Sequence, residues 1–216
     1  MCIRDSRSLR RKRKIDRAAG KLADANLIVI ASEDQYAVKQ YFNLFHSVRI
    51  QFEVLETEDG RSSPKDVLAR LSRYMEEFQI GEGDEFWLVT DIDHWAKPGH
   101  IKNLTEVVKL CRQKNIGVAT SFPCFDLWLL LHFSEMPEQQ ISQCSEIGEL
   151  IRAAVGDYNK TKVYNLPITM ENVELAIKRA KAAEPKGPIL SELGSEVYLI
   201  IENLVTSSVI SIANDR

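Results

Sequence analysis

Leu27-Ile28-Val29-Ile30-Ala31-Ser32-Glu33 and Phe86-Trp87-Leu88-Val89-Thr90-Asp91-Ile92-Asp93 are the two stretches that decide the fold. Each begins as an unbroken apolar run, the pattern of a short strand covered on both faces. Each run then stops at acids. Glu33 and Asp34 follow the first, and Asp91 and Asp93 follow the second.

Helical spacing surrounds both runs. Val38, Tyr41, Phe42 and Phe45 recur at that spacing after the first run, and Ile50, Phe52 and Val54 then alternate with Gln51 and Glu53 as a less buried strand. A polar loop at 57–62 leads to Ser63-Pro64, a helix start with proline in the first turn. Its apolar face is Val67, Leu68, Leu71, Tyr74, Met75 and Phe78. After the Lys97-Pro98-Gly99 turn, Leu104, Val107, Val108 and Leu110 mark another helix, and Ile116 to Ser121 reads as a fourth strand. Phe122 to Phe133 is apolar almost all round, with proline early, so it predicts a helix buried between other elements.

Strands alternating with helices over short links predict a three-layer α/β/α, doubly wound, mostly parallel sheet over residues 26–134, Rossmann-like in outline. Residues 135–205 read as a helical extension packed on it, with helices at 147–155, 170–183 and 192–204, and residues 206–216 as a frayed tail. Residues 1–25 form a basic arm expected to be disordered. Its first 21 residues carry nine Lys or Arg against two Asp, while the rest carries 19 basic against 29 acidic residues. Met1-Cys2-Ile3-Arg4-Asp5-Ser6 has the look of an assembly scar and carries no weight in the fold.

With 216 residues, 44% hydrophobic and 27% charged, the chain has the composition of a globular protein. No apolar run reaches the roughly 18 residues of a membrane span, and the N-terminus lacks a signal-peptide core, so a cytoplasmic protein without membrane contact is expected. Cys2, Cys111, Cys124 and Cys144 show no zinc spacing and read as free thiols in a reducing compartment.

Ligands of an open parallel sheet bind beyond the carboxyl ends of its strands. Neighbouring first and third strands would gather Glu33, Asp91 and Asp93 there. Like charges that close repel, and a divalent cation relieves the conflict. Oxygen donors without nearby Cys or His suit Mg²⁺ or Mn²⁺. The plainer reading, in which Glu33 and Asp34 serve only as a helix cap, stands beside it. Other chemistries on this skeleton fail on spacing. A haloacid-dehalogenase phosphatase needs its Asp-x-Asp after the first strand, and a receiver domain needs paired acids there with a lone Asp after the third, where this chain has Asp91-Ile92-Asp93. No GxGxxG follows the first strand, and no GxxxxGK[ST] or G-x-S-x-G occurs.

Glu after the first strand and Asp-x-Asp after the third resembles the TOPRIM domain of topoisomerases, primases and OLD-type nucleases. Ile28 to Asp34 with Tyr41-Phe42, and Trp87 to Asp93, resemble more closely the RloB-like family, which includes AbiLii abortive-infection components. The most specific stretch is Ser121-Phe122-Pro123-Cys124-Phe125-Asp126-Leu127-Trp128-Leu129-Leu130-Leu131-His132-Phe133. It is similar to the family's Ser-Asn-Pro-Cys-Phe-Glu-Leu-Trp-Leu-Leu-His-Phe signature. Tyr158-Asn159-Lys160 fits a later family element. This chain departs from the pattern at Ala31-Ser32 (often Cys-Glu), Phe122 (Asn) and Asp126 (Glu).

The resemblance implies a Mg²⁺-dependent nuclease effector of phage defence, acting with an ATPase partner. Asp91 and Asp93 would hold the metal, with Glu33 as general base or ligand of a second metal. Asp126 is either a supporting acid or a helix cap. Lys160 is a candidate phosphate clamp or a solvated loop residue, and Asn159 a candidate substrate contact. His132, inside the signature, reads as a hydrogen-bonded buried histidine, with a supporting or substrate-facing place near the site as the alternative. The alternative function is a non-catalytic module that binds a nucleotide or an ATPase partner. An acidic body disfavours extended duplex binding and leaves a nucleotide or a small structured RNA open.

Overall fold

A computed structural model describes residues 10–15, 25–57, 61–92, 101–183 and 189–212. The main sheet runs in the order β3 (Ile50–Leu55), β1 (Asn26–Ser32), β4 (Glu85–Asp91), β5 (Gly117–Phe122) and β6 (Gly194–Ser195). The first four strands are parallel, and β6 joins the outer edge of β5 antiparallel. The doubly wound α/β reading therefore holds, with β1 and β4 as neighbours. Their register pairs Ala31 with Leu88 and Ser32 with Val89, so β1 ends two residues before the end of β4 and Glu33 follows alongside it.

The unbroken apolar run of β1 serves two cores. Ile28 and Ile30 enter one cluster with Tyr41, Trp128, Ile147, Val173 and Ile201. Leu27, Val29 and Ala31 enter the other with Leu71, Leu88 and Val107. Period-two geometry divides the run in this way, since successive side chains point to opposite faces. The second core is covered by α2 (Pro64–Glu77) and α3 (Ile101–Gln113). Ser63 starts α2 by accepting a hydrogen bond from the Asp66 amide, with Pro64 in the first turn.

The first core is covered by α1 (Ala37–Phe42), α4 (Asp126–Leu130), α5 (Cys144–Val155), α6 (Met170–Ala182) and α7 (Tyr198–Thr206). A 3₁₀ turn, Lys160–Asn165, lies between α5 and α6. The residues after 135 thus share one core with the sheet and return to it through β6. Gly194 and Ser195 are in β6 instead of the helix predicted from residue 192, and α7 begins at Tyr198.

Three expectations are corrected. The tail is paired as far as Ile212, because β7 (Ser211–Ile212) joins β2 (Phe45–His46) antiparallel and buries Ile210 and Ile212. Within the arm, residues 10–15 are docked. The Arg11 amide donates to Glu77 O at 2.8 Å, Gln79 donates back to Arg11 O at 2.8 Å, and Lys14 lies over the Phe78 ring. The signature stretch forms only the short α4 followed by turns, after a cis Phe122–Pro123 bond. Among the described residues, no helix is long and apolar enough to cross a membrane.

Candidate functional site

The register of β1 against β4 puts Glu33 beside the end of β4. Glu33 Oε1 accepts the Thr90 hydroxyl at 2.8 Å and also the Asp91 amide. Asp91, half-buried, accepts the Phe125 amide through Oδ1 at 2.8 Å. That bond ties the end of β4 to the turn leading into α4, which brings Asp126 to the same edge. The Asp126 side chain is only 4% exposed.

A fourth carboxylate belongs to Asp34. Its Oδ1 accepts the Tyr36 amide at 2.8 Å and the Ala37 amide, closing the entry to α1. Its Oδ2 lies 3.1 Å from Lys160 Nζ. Lys160 arrives from the 3₁₀ turn, and its Nζ is also 3.7 Å from Asp126 Oδ1. One ammonium therefore sits among acids contributed by β1, β4 and the start of α4.

The charges shift one another as this arrangement requires. Loss of solvent pushes the Asp91 carboxyl well above its ordinary range, and the Glu33 charge adds to the rise. Lys160 and the Phe125 amide oppose it. Burial likewise raises Asp126, with Lys160 opposing. Burial alone would lower the Lys160 pKa, but Asp126, Asp34 and Asp91 together outweigh it and raise the value, so Lys160 stays cationic. Burial and the nearby Asp126 charge raise the Tyr158 hydroxyl.

Of the residues singled out in the sequence, Glu33, Asp91, Asp126 and Lys160 come together. Asp93 lies outside the described residues. Asn159 is exposed, and its Oδ1 accepts the Thr161 amide at 2.9 Å and hydroxyl at 2.8 Å, so it caps the 3₁₀ turn that presents Lys160. His132 is buried away from the acids. Its Nδ1 donates to Trp128 O at 2.9 Å, and its Nε2 faces the Tyr41 hydroxyl at 3.2 Å. Burial depresses its pKa to about 4, so the ring is neutral.

Sequence reasoning missed part of the site. Asp34 passes for a plain helix cap, and nothing in its spacing announces the contact with Lys160. Arg70, buried inside α2, donates to Ser32 O and Glu56 O and braces the carboxyl ends of β1 and β3. A cleft of about 720 Å³ opens beside the acids, bordered by Asp126, Cys144, Gly148, Arg152, Tyr158 and Lys160. The expectation of free thiols is corrected for Cys124 and Cys144, while Cys2 lies outside the described residues. Cys124 and Cys144 form a disulfide with Cα atoms 5.8 Å apart, because the buried turn before α4 packs on the first turn of α5. Cys111 is free and buried.

Glu33, Asp34, Asp91 and Asp126 offer oxygens along this edge, but among the described residues the ligand atoms close enough to hold one ion are those of Cys124, Asp126 and Cys144. Fold and site together define an α/β protein with several acids around Lys160 at the carboxyl edge of a mostly parallel sheet. The chain belongs to the RloB-like protein family, whose pattern it matches over residues 28–204. No curated protein and no solved structure is similar enough to match it.

Proposed function

We propose that this chain is a TOPRIM-type, Mg²⁺-dependent nuclease effector of anti-phage, abortive-infection defence. It would act in the cytoplasm on a nucleic acid or nucleotide, alongside an ATPase partner. The observation that carries the reading is the approach of Glu33 to the Asp91 amide, with Asp126 and Lys160 at the same edge. Asp91 and Asp93 are the assigned metal ligands, with Glu33 as general base or further ligand. Bound Mg²⁺, or Mn²⁺ in its place, supplies polarisation of a phosphoryl oxygen and stabilises charge on the leaving oxygen.

The chain's own groups do the rest. The Thr90 hydroxyl and the Asp91 amide fix Glu33 Oε1 and so orient that carboxylate. Lys160, kept protonated by its acid neighbours, offers a positive charge to a phosphate arriving through the cleft. The Phe125 amide holds Asp91 Oδ1 in place.

A second reading has its own observation. Lys160 already bridges Asp34 and Asp126, so the acids are partly neutralised without a metal. A nucleotide- or partner-binding module without catalysis would need no more. Incubation with labelled DNA, RNA and tRNA pools in Mg²⁺, Mn²⁺ or EDTA separates the two. The nuclease reading expects cleavage that EDTA stops and that the double change Asp91→Ala with Asp93→Ala abolishes. A double variant cleaving at the wild-type rate removes the metal mechanism.

A further inference from the structure

Cys124, Asp126 and Cys144 stand apart from the roles assigned above to Glu33 and Asp91. One Sγ from each cysteine and a carboxylate oxygen of Asp126 all lie within 4.8 Å of one another. Cys124 and Asp126 are buried, while Cys144 is half-buried and borders the cleft. Asp126 Oδ1 accepts no hydrogen bond among the described residues, although its side chain is 4% exposed. The Lys160 ammonium, 3.7 Å from that oxygen and shared with Asp34, compensates its charge only in part.

We propose that reduction of the Cys124–Cys144 disulfide creates a zinc site, in which both thiolates and the Asp126 carboxylate hold the ion and the cleft supplies its fourth ligand.

The chemistry of the donors selects the metal. Two thiolates and one carboxylate are a soft, borderline set that favours zinc over Mg²⁺ or Ca²⁺. Zn–S bonds of about 2.3 Å and Zn–O bonds of about 2.0–2.2 Å can be met by three donors already this close, after small side-chain rotations. Three protein ligands with one open position is the zinc arrangement that admits water or a substrate atom. Cys144 opens the twelve-residue α5, and Gln143 before it makes no side-chain cap, so the orphan amides of the first turn favour a thiolate there.

Disulfide and zinc are mutually exclusive occupants of the same sulfurs. With a trialkylphosphine, the S–S bond breaks and takes up two electrons. Two protons come from one water, whose oxygen leaves on the phosphine oxide. Zinc binding then displaces the two thiol protons to solvent. The site rests on Asp126 and the cysteines alone, so it stands whether or not the chain cleaves phosphodiesters.

Metal content of the full chain tests this without an activity assay. Phosphine-reduced protein, incubated with Zn²⁺ and desalted, should retain zinc stoichiometrically, whereas the oxidised protein should retain none. Co²⁺ in place of zinc should give sulfur-to-metal charge transfer and the intense visible bands of a tetrahedral site. Loss of an outer partner of a metal ligand alone costs about 10–100-fold, so Cys124→Ser and Cys144→Ser should each weaken binding at least about 100-fold. Cys111→Ser should leave binding unchanged. Oxidised and reduced wild type share one sequence, so their comparison holds even where a serine variant does not fold. Zinc retention by the oxidised form, only trace zinc on the reduced form, octahedral Co²⁺ spectra, or a Cys144→Ser variant binding as well as wild type would each overturn the site.

Discussion

β1 and β4 are joined at both ends by a carboxylate borrowed from the neighbouring strand, and the two ends are completed differently. At the amino ends, Asp84 precedes β4 and accepts the Leu27 amide of β1 at 2.8 Å. At the carboxyl ends, Glu33 follows β1 and accepts the Asp91 amide of β4. Asp84 also accepts the Gly81 amide at 2.7 Å and both arms of the Arg13 guanidinium, with its side chain 1% exposed. One charge there meets one countercharge and a full set of donors. At the other end, several acids gather around Lys160, and Asp91 and Asp126 are held above their ordinary range. The first end is built for stability. The second is left electrostatically strained, and perturbed carboxyls of this kind cluster at functional sites.

The largest effect should come from breaking the satisfied end. Asp84→Ala leaves the Leu27 and Gly81 amides without their acceptor and Arg13 without its partner. Removing one side of such a pair costs about 3–5 kcal/mol, and urea unfolding reads it directly. Asp91→Asn, measured the same way, should hold or raise stability, because it removes charge from an overcrowded cluster. If the two substitutions cost the same, the two ends do not differ in the way described.

Glu33→Gln sharpens the contrast in the other direction. The amide can still accept from Thr90 and Asp91, so unfolding free energy should change by less than about 1 kcal/mol. Cleavage should fall on the order of 10²-fold or more if Glu33 is the base. Unchanged cleavage, together with an unchanged Mg²⁺-induced shift in Tm, would return Glu33 to a structural role.

The strain should also appear as a pH dependence. A carboxyl whose folded pKa is raised binds more protons folded than unfolded. Its burden on stability is therefore absent below the unfolded value of about 3.9 and grows as pH rises through the folded value. The stability advantage of Asp91→Asn over wild type should thus widen as pH increases from about 4. Taking the difference isolates Asp91, because His132, depressed to about 4 by burial, titrates in both proteins. An advantage that is flat with pH would mean the carboxyl is not perturbed.

Most of the fold was legible because burial on both faces writes an unbroken apolar run. The Leu27–Ala31 and Phe86–Val89 runs mark neighbouring strands, and the acids that end them mark the edge where Glu33 and Asp91 meet. Short pairings were not legible. Gly194-Ser195 and Ser211-Ile212 are two-residue strands whose partners lie more than 70 residues away in sequence, too brief for any period to register. Contacts made by single side chains were equally silent. Arg13 reads as one more charge in a basic arm until Asp84 is seen beside it. Asp34 and Cys144 gain their meaning only from where the 3₁₀ turn and α5 are packed.

Asn159 tests how the strained end is held, with the smallest expected effect. Its sequence neighbourhood suggests a substrate contact, but its Oδ1 is committed to the Thr161 amide and hydroxyl. If it acts as a cap, the acceptor oxygen is what matters. Asn159→Asp keeps that oxygen and should match wild type in stability. Asn159→Ala loses it and should cost about 1 kcal/mol, the usual worth of such a cap. The loss should be local, because the segment it anchors is the one that carries Lys160. Faster hydrogen exchange at Thr161 and Lys162 in Asn159→Ala, without faster exchange in β1 or β4, is the expected signature. Binding of a nucleotide probe should weaken in the alanine variant through a looser Lys160, and persist in Asn159→Asp. If both variants lose the probe equally while exchange stays unchanged, the amide nitrogen contacts the ligand, and Asn159 belongs to the binding surface instead of to the frame behind it.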